Sequence, residues 1–131
     1  MTRPPGYDED LDNDPWWAAL AEHRVVVQAC PACHRHRLPR MPACPWCAAP
    51  GGLDVEVEGT GTIYSFVRAD RALTPEREAE VPYAIATVEL DGGARVFGRV
   101  EPAAAAAIGV RVGPTFVDHA GWTELRFVSA P

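Results

Sequence analysis

The pattern of apolar and polar positions predicts a chain built mainly from β-strands. Short alternating or β-branched runs recur between segments rich in glycine and proline, which is typical of strands separated by turns. One helix is expected near the start, over residues 14–23, because Asp14 suits an N-cap and Pro15 suits the first helical position. The preceding residues, 1–13, are polar and acidic, and we expect a mobile tail there.

After residue 51 the pattern predicts five strands, the first of them long and bent. Gly59 and Gly61 interrupt this first strand, as a strongly curved barrel strand requires. The alanine-rich residues 103–108 predict a short helix that closes one barrel end, between the third and fourth strands. This order is typical of an OB-fold barrel. The expected strands are 53–67, 83–90, 94–100, 110–118 and 122–128.

The four cysteines form two Cys-Pro-x-Cys pairs, which follow a predicted strand over residues 24–29. The pairs are Cys30/Cys33 and Cys44/Cys47, with ten residues between them. Two such turns bring four thiolates to one ion, and a complete set of four thiolates is typical of a structural zinc site rather than a catalytic one. The pattern therefore predicts a zinc ribbon over residues 24–50.

Other uses of these cysteines are weaker interpretations. Two disulfides would require an oxidising compartment, and no signal peptide precedes the ribbon. A thioredoxin-type pair would require one Cys-x-x-Cys at the start of a helix. His34 and His36 lie between the pairs and could replace a ligand only if one of the four thiolates were not used. Iron in place of zinc stays open, because four thiolates suit both metals.

Composition and charge narrow the class of protein. The chain has 131 residues and a formal net charge of −6, which argues against a nucleic-acid binder with a basic face. No apolar run approaches the length of a membrane span, and we see no targeting segment, so we expect a cytoplasmic protein. The ribbon is locally basic, and its arginines either offset the thiolates or form a docking patch for phosphate. These are Arg35, Arg37 and Arg40.

The predicted helix carries two adjacent tryptophans, Trp16 and Trp17. Neighbours on a helix point about 100° apart, so we expect one indole to pack against the body of the chain and the other to face outward. The outward indole is either a surface residue or an anchor for a partner, and tryptophan is favoured at interfaces. The domain organisation that follows is a tail (1–13), a helix (14–23), a zinc ribbon (24–50) and a barrel (51–131).

The ordered set of motifs resembles a known family. These motifs are DPWWAAL, the two Cys-Pro-x-Cys pairs, LPR, EGTGTIYSF, VPYAIATVELDGGARVFGRV and IGVRVGPTFVD, and they cover most of residues 14–128. The chain resembles acyl-CoA-associated OB-fold proteins with a rubredoxin-like zinc ribbon. One departure concerns the residue after each pair, which is often glycine in the family and is His34 and Ala48 here. Alanine in the left-handed conformation is costly, so the turn at Ala48 is left open.

The resemblance implies a non-catalytic accessory subunit. Family members pair with thiolase-superfamily enzymes, including lipid-transfer-like aldolases of steroid side-chain degradation, or with MaoC-type enoyl-CoA hydratases. The resemblance further implies an acyl-CoA site shared with the partner in a hetero-oligomer, and it carries over no catalytic residue. The alternative is a zinc-ribbon/OB module for single-stranded nucleic acid, which would need an electropositive groove with exposed aromatic residues. Acidity and an aromatic fraction of 8% favour the accessory subunit.

No catalytic group is evident, and one loop supplies candidate contacts for the acyl-CoA phosphates. No histidine lies in a recognisable Ser/His/Asp or Cys/His pattern. The polar loop over residues 70–82 and the strand before it carry three arginines whose planar groups suit phosphate. They could equally balance Glu76, Glu78 and Glu80 in a solvated loop. These candidate residues are Arg68, Arg71 and Arg77.

Overall fold

The computed structural model describes residues 3–4 and 13–130. The predicted mobile tail lies outside the described residues except for Arg3, Pro4 and Asn13. The described part of the chain contains one α-helix, eight strands and two short 3₁₀ turns, Pro75–Arg77 and Ala103–Ala105. The regular elements are α1 (Asp14–Ala21), β1 (Val25–Ala29), β2 (His36–Arg37), β3 (Leu53–Val57), β4 (Gly61–Ala69), β5 (Tyr83–Leu90), β6 (Arg95–Glu101), β7 (Arg111–His119) and β8 (Trp122–Ser129).

The helix α1 forms where the sequence predicts it, with two differences at its ends. Asn13, not Asp14, is the N-cap, and its carbonyl accepts the backbone N–H of Trp16 at 3.0 Å. The helix ends at Ala21 rather than at residue 23, because His23 adopts a left-handed φ of 57°. Histidine is among the residues that adopt this conformation more readily than most.

Strands β1, β2 and β3 form a three-stranded antiparallel sheet in the order β2-β1-β3. The prediction that residues 53–67 form one bent barrel strand is therefore wrong. β3 pairs with β1 along its whole length, from Val25 opposite Val57 to Ala29 opposite Leu53, and β4 starts separately. Gly59 lies between them with φ +83°, and this left-handed turn redirects the chain from the ribbon to the barrel.

Strands β4 to β8 close into a barrel in the order β4-β5-β6-β8-β7, which confirms the predicted OB-fold architecture. Four of the strand pairs in the barrel are antiparallel, and one, β6 with β8, is parallel. The alanine-rich residues make a single 3₁₀ turn at Ala103–Ala105 instead of the predicted helix. Six residues are too few for a stable helix without strong packing, and none of the three alanines in this turn is fully buried.

The ribbon, the helix and the barrel share one hydrophobic core. Leu20 from α1 and Val25 and Val27 from β1 lie in the same buried cluster as Ile63 and Phe127 of the barrel. Helix α1 packs against both β1 and β8, so it bridges the two sheets. Among residues 3–4 and 13–130, no helix is long and apolar enough to cross a membrane.

Candidate metal centre and surrounding surfaces

The four predicted cysteine ligands converge at the tips of two ribbon turns. All four sulfur atoms lie within 4.8 Å of one another. The Sγ atoms of Cys30 and Cys47 are 3.5 Å apart, and those of Cys33 and Cys44 are 3.6 Å apart. Four thiolates at about 2.3 Å from one tetrahedral ion would be about 3.8 Å from each other, so the observed spacing fits one ion.

The two turns that carry these cysteines have the same backbone geometry. His34 and Ala48, which follow the two pairs, both adopt left-handed conformations, with φ of 66° and 67°. The N–H of His34 donates to the carbonyl of Cys30 at 3.0 Å, and the N–H of Ala48 donates to that of Cys44 at 2.9 Å. Ala48 therefore makes the same turn after the second pair that His34 makes after the first, despite the cost of a left-handed alanine.

Backbone N–H donors, burial and neighbouring thiols shift the pKa values of Cys30, Cys44 and Cys47 in different directions. The N–H of Cys33, 3.4 Å from Cys30 Sγ, is the main reason that the pKa of Cys30 falls to about 6. Burial raises the pKa of Cys44, but the N–H groups of Cys47 and Trp46 and the Cys33 thiol together lower it. The N–H of Ala49 lowers the pKa of Cys47, yet the Cys30 thiol and burial outweigh it and raise that pKa to about 11. A bound cation would favour the thiolate form of all four cysteines.

The two tryptophans of α1 do not separate into one packed and one outward-facing ring, as the sequence predicted. Trp16 and Trp17 are both half-buried, and both pack against the core. They line one groove of about 220 Å³ beside Ile85 and Phe97, and the Trp17 ring meets the Trp122 ring edge-on at 6.1 Å. Because α1 lies between two sheets, side chains about 100° apart both find packing partners. The most exposed aromatic side chain in this groove is Phe97, at 77%.

The structure does not bring the three loop arginines together in one hollow. Arg68 donates to Asp70 at 2.7 Å, and Arg77 donates to Glu80 at 3.3 Å. Arg71 is exposed, and no carboxylate in the described part of the chain pairs with it. A hollow of about 300 Å³ lies beside Arg77, but Arg68 and Arg71 do not line it. As candidate acyl-CoA contacts, the three arginines stay a prediction.

Two histidine–carboxylate pairs were not visible in the sequence. His23 Nε2 lies 2.9 Å from Asp118 Oδ1, and the two residues are 95 positions apart. His119 Nε2 lies 2.8 Å from Glu124 Oε1 on the neighbouring strand of the last hairpin. The first pair had no sequence signal, whereas the register of a β7–β8 hairpin could have suggested the second.

These features define a class of protein: a four-cysteine zinc-ribbon-like sheet fused to an OB-fold barrel through one bridging helix. Residues 17–51 match the family described as the ChsH2 rubredoxin-like zinc ribbon domain. Residues 54–117 match the family described as the ChsH2 C-terminal OB-fold domain. A solved structure named "Ltp2-ChsH2(DUF35) aldolase" aligns with 98% of this chain and 100% of its own, at 32% identity and a TM-score of 0.80. The chain belongs to the ChsH2 (DUF35) family.

Other relatives cover less of the chain or are more distant. The chain is 40% identical over 85 residues to a probable enoyl-CoA hydratase alpha subunit of Thermomonospora curvata. It is also 40% identical over 67 residues to the 3-oxo-4,17-pregnadiene-20-carboxyl-CoA hydratase alpha subunit of Mycobacterium tuberculosis. These matches cover 65% and 50% of the chain but only 26% and 21% of the relatives, so the chain spans about a quarter of their length. A DUF35 protein of unknown function from Sulfolobus solfataricus, 13% identical with a TM-score of 0.66 over 92% of this chain and 86% of its own, shows the fold alone.

Proposed function

We propose that this chain is a non-catalytic accessory subunit that binds acyl-CoA jointly with a partner enzyme of the thiolase superfamily. The partner would be a thiolase or a lipid-transfer-like retro-aldolase, for example in steroid or fatty acyl side-chain degradation. The observation that carries this proposal is the match, over the full length of both chains, to a protein named as part of an Ltp2–ChsH2 aldolase. The reaction would then be carried out by the partner, while this chain supplies part of the acyl-CoA site.

A second candidate is a subunit that works with a MaoC-type enoyl-CoA hydratase. The names of the two curated relatives, both hydratase alpha subunits, favour it. Because the chain spans only about a quarter of those relatives, their activity is not carried over to it. The two candidates differ in the partner and agree that this chain is an accessory subunit.

The titratable groups of the described residues support a non-catalytic role. His23 and His119 each pair with a carboxylate, and each ring also stacks on an aromatic ring, that of Phe116 or Trp122. A general base needs a free nitrogen that faces a bound substrate in a cleft. The Nε2 atoms of both imidazoles are instead taken by carboxylates, so we assign the two side chains to holding the last hairpin in place.

We propose zinc as the metal, held by Cys30, Cys33, Cys44 and Cys47. The four-sulfur set leaves no open coordination position, so the ion would fold the ribbon and take no part in the reaction. The ribbon is small and has little core of its own, and the binding energy of the ion would therefore contribute to its folding.

We propose the groove beside α1 as the partner surface. It joins the two tryptophans to apolar side chains on the outer face of β5 and β6, Ile85 and Phe97. An exposed phenylalanine surrounded by half-buried indoles is the composition expected at the centre of a protein interface. The predicted anchor, Trp16 and Trp17, would thus be one edge of a larger apolar surface.

Co-expression and size-exclusion chromatography test this proposal. The tagged chain is expressed with each thiolase-superfamily and MaoC-type enzyme encoded near its gene, and we expect one of them to co-elute. Phe97→Asp and the double variant Trp16→Ala plus Trp17→Ala should abolish co-elution. Leu73→Asp is the matched control, because Leu73 is 90% exposed but lies outside the groove. The accessory role would be wrong if the isolated chain turned over an acyl-CoA and a change in its own barrel stopped the turnover.

The loop arginines are tested in the complex. Replacing Arg68, Arg71 and Arg77 together with alanine should raise the Michaelis constant for acyl-CoA and leave assembly unchanged. An unchanged constant would show that the loop does not contact the CoA phosphates.

A further inference from the structure

A cleft of about 480 Å³ lies between the ribbon and the barrel, away from the groove beside α1. This volume is within the range of small-molecule sites. One wall comes from β2 and the segment that leads to the second cysteine pair, and the other comes from the β5–β6 hairpin. The lining residues are His36, Arg37, Leu38, Met41, Pro45, Trp46, Glu89, Gly93, Ala94 and Arg95.

Arginines are concentrated around this cleft, in a chain whose net charge is −6. Arg37 and Arg95 line the cleft together with one carboxylate, that of Glu89, and Arg35 lies over the ring of Trp46, which also lines it. Arg95 pairs with Glu89 at 3.0 Å. Within residues 3–4 and 13–130, no carboxylate pairs with Arg35 or Arg37. Four thiolates around a divalent ion would together carry two net negative charges, and they are the other charged group beside these arginines.

Arg37 is fixed at the base of the ribbon sheet. It is 2% exposed, and its Nε donates to Gln28 Oε1 at 2.6 Å while Nη2 donates to the carbonyls of Met41 and Gly51. All of these acceptors are neutral. Its Nη1 is buried and has no hydrogen-bond partner among the described residues. Buried charges are normally paired, and Arg37 lines this cleft, so an anion bound there would supply the missing counter-charge.

Two aromatic rings accompany these charges. Trp46 lines the cleft, is 52% exposed and has the Arg35 guanidinium 5.2 Å from its ring centroid. On the barrel wall, Arg95 lies 3.9 Å from the centroid of Tyr64. Exposed rings next to arginines suit ligands that combine a flat aromatic base with phosphate, because bases stack on indole and phosphate accepts from guanidinium.

We infer that this cleft binds the phosphorylated nucleoside part of a ligand, with the base against Trp46 and the phosphates near Arg35 and Arg95. Two sources share this chemistry: the nucleotide end of CoA and a free nucleotide. The assignment to CoA rests on the proposed function, whereas the binding itself does not. If CoA is the ligand, the cleft is an alternative to the loop arginines as the phosphate contact, and two of those three arginines pair with carboxylates.

A competing explanation is that the ribbon arginines only offset the charge of the metal thiolates. In that case, removing Arg35 would weaken metal binding and leave nucleotide affinity unchanged. Arg40 provides a matched control, because it is a ribbon arginine that pairs with Asp54 and lies outside the cleft.

Isothermal titration calorimetry on the full metal-loaded chain tests the inference, with adenosine 3′,5′-bisphosphate as the probe. We expect saturable binding that falls about tenfold in Trp46→Ala, since one stacked base contributes roughly 1–3 kcal/mol. Arg35→Ala and Arg95→Ala should also weaken binding, and Arg40→Ala and the triple loop-arginine variant should not. Metal content and melting temperature show that each variant is folded, and Arg95→Ala changes the barrel wall independently of the ribbon.

Further ligands separate the two sources. Tighter binding of CoA than of ATP supports the CoA nucleotide end, and equal binding supports a general nucleotide site. No binding of the bisphosphate, unchanged affinity in Trp46→Ala and Arg35→Ala, or loss only in the loop-arginine variant would overturn the inference. Much tighter binding of a single-stranded oligonucleotide would also overturn it, in favour of nucleic-acid recognition. Because the isolated chain is used, a negative result leaves the accessory role untouched.

Discussion

Replacing Ala48 with glycine should stabilise the metal-bound ribbon. Ala48 ends the second cysteine turn with φ +67°, in the left-handed region where a Cβ atom crowds the following carbonyl. Glycine has no Cβ atom, so Ala48→Gly removes this strain while it keeps the N–H that donates to the Cys44 carbonyl at 2.9 Å.

The size of the effect follows from two opposing contributions. Left-handed backbone costs an L-residue about 1–2 kcal/mol. Against this gain, glycine increases the conformational entropy of the unfolded chain, which costs about 0.4–1 kcal/mol. The net stabilisation should be about 0.5–1 kcal/mol, which corresponds to an approximately two- to fivefold increase in apparent zinc affinity, because metal binding is coupled to folding of the ribbon.

Competition with a chromophoric chelator measures that affinity in the full chain. Ala32→Gly is the matched control: Ala32 is an exposed alanine in the first turn without positive φ, so glycine there should lower the affinity. The reasoning would be refuted if Ala48→Gly bound zinc no more tightly than the parent chain while Ala32→Gly behaved as expected.

Three further predictions test the metal, the core and the electrostatics. Metal analysis of the purified chain should give about one equivalent of zinc, and less than half an equivalent with four free thiols would contradict the site. Phe127→Ala should lower the free energy of unfolding by about 3–5 kcal/mol in denaturant titrations, because Phe127 is fully buried. Burial raises the pKa of Glu124, but hydrogen bonds from Arg126 and His119 outweigh it and lower that pKa. The ionised Glu124 carboxylate therefore stabilises the fold above about pH 4.3, and this stabilisation is lost as the pH falls. Between pH 7 and pH 3.5, the Glu124→Gln variant should lose less free energy of unfolding than the parent chain.

The local signals in the sequence were sufficient for most elements and for the convergence of the four cysteines. The Cys-Pro-x-Cys spacing identifies four sulfur atoms that the fold brings within 4.8 Å. The Asp91-Gly92-Gly93 turn and the alternating strands around it predict the β5–β6 hairpin, which the structure confirms. In these cases the interacting residues are close in sequence or repeat one short motif, so pattern alone determines the contact.

The errors arise where a distant partner decides the outcome. Apolar and acidic residues alternate over residues 53–57 as they would in a barrel strand, but this segment pairs with the edge of β1 in the ribbon sheet. Trp16 and Trp17 both find packing because α1 lies between β1 and β8. The His23–Asp118 pair and the cleft around Trp46 form only when separate segments pack together. The hydrophobic periodicity of each segment does not show which segments will meet.

The junction between ribbon and barrel connects the metal centre to the proposed nucleotide cleft. A Cβ atom on Gly92 would lie 2.3 Å from His36 Nδ1, and Gly92 has φ +101°, so a larger residue would strain the turn and displace the imidazole at this junction. Trp46 lies between two of the four clustered cysteines, Cys44 and Cys47, so an ion bound there would fix the cleft wall that carries this ring. A wall held before the ligand arrives loses less conformational freedom on binding. By this reasoning, a structural metal would contribute to the affinity of the proposed cleft for its ligand by holding Trp46 in position, without contacting the ligand itself.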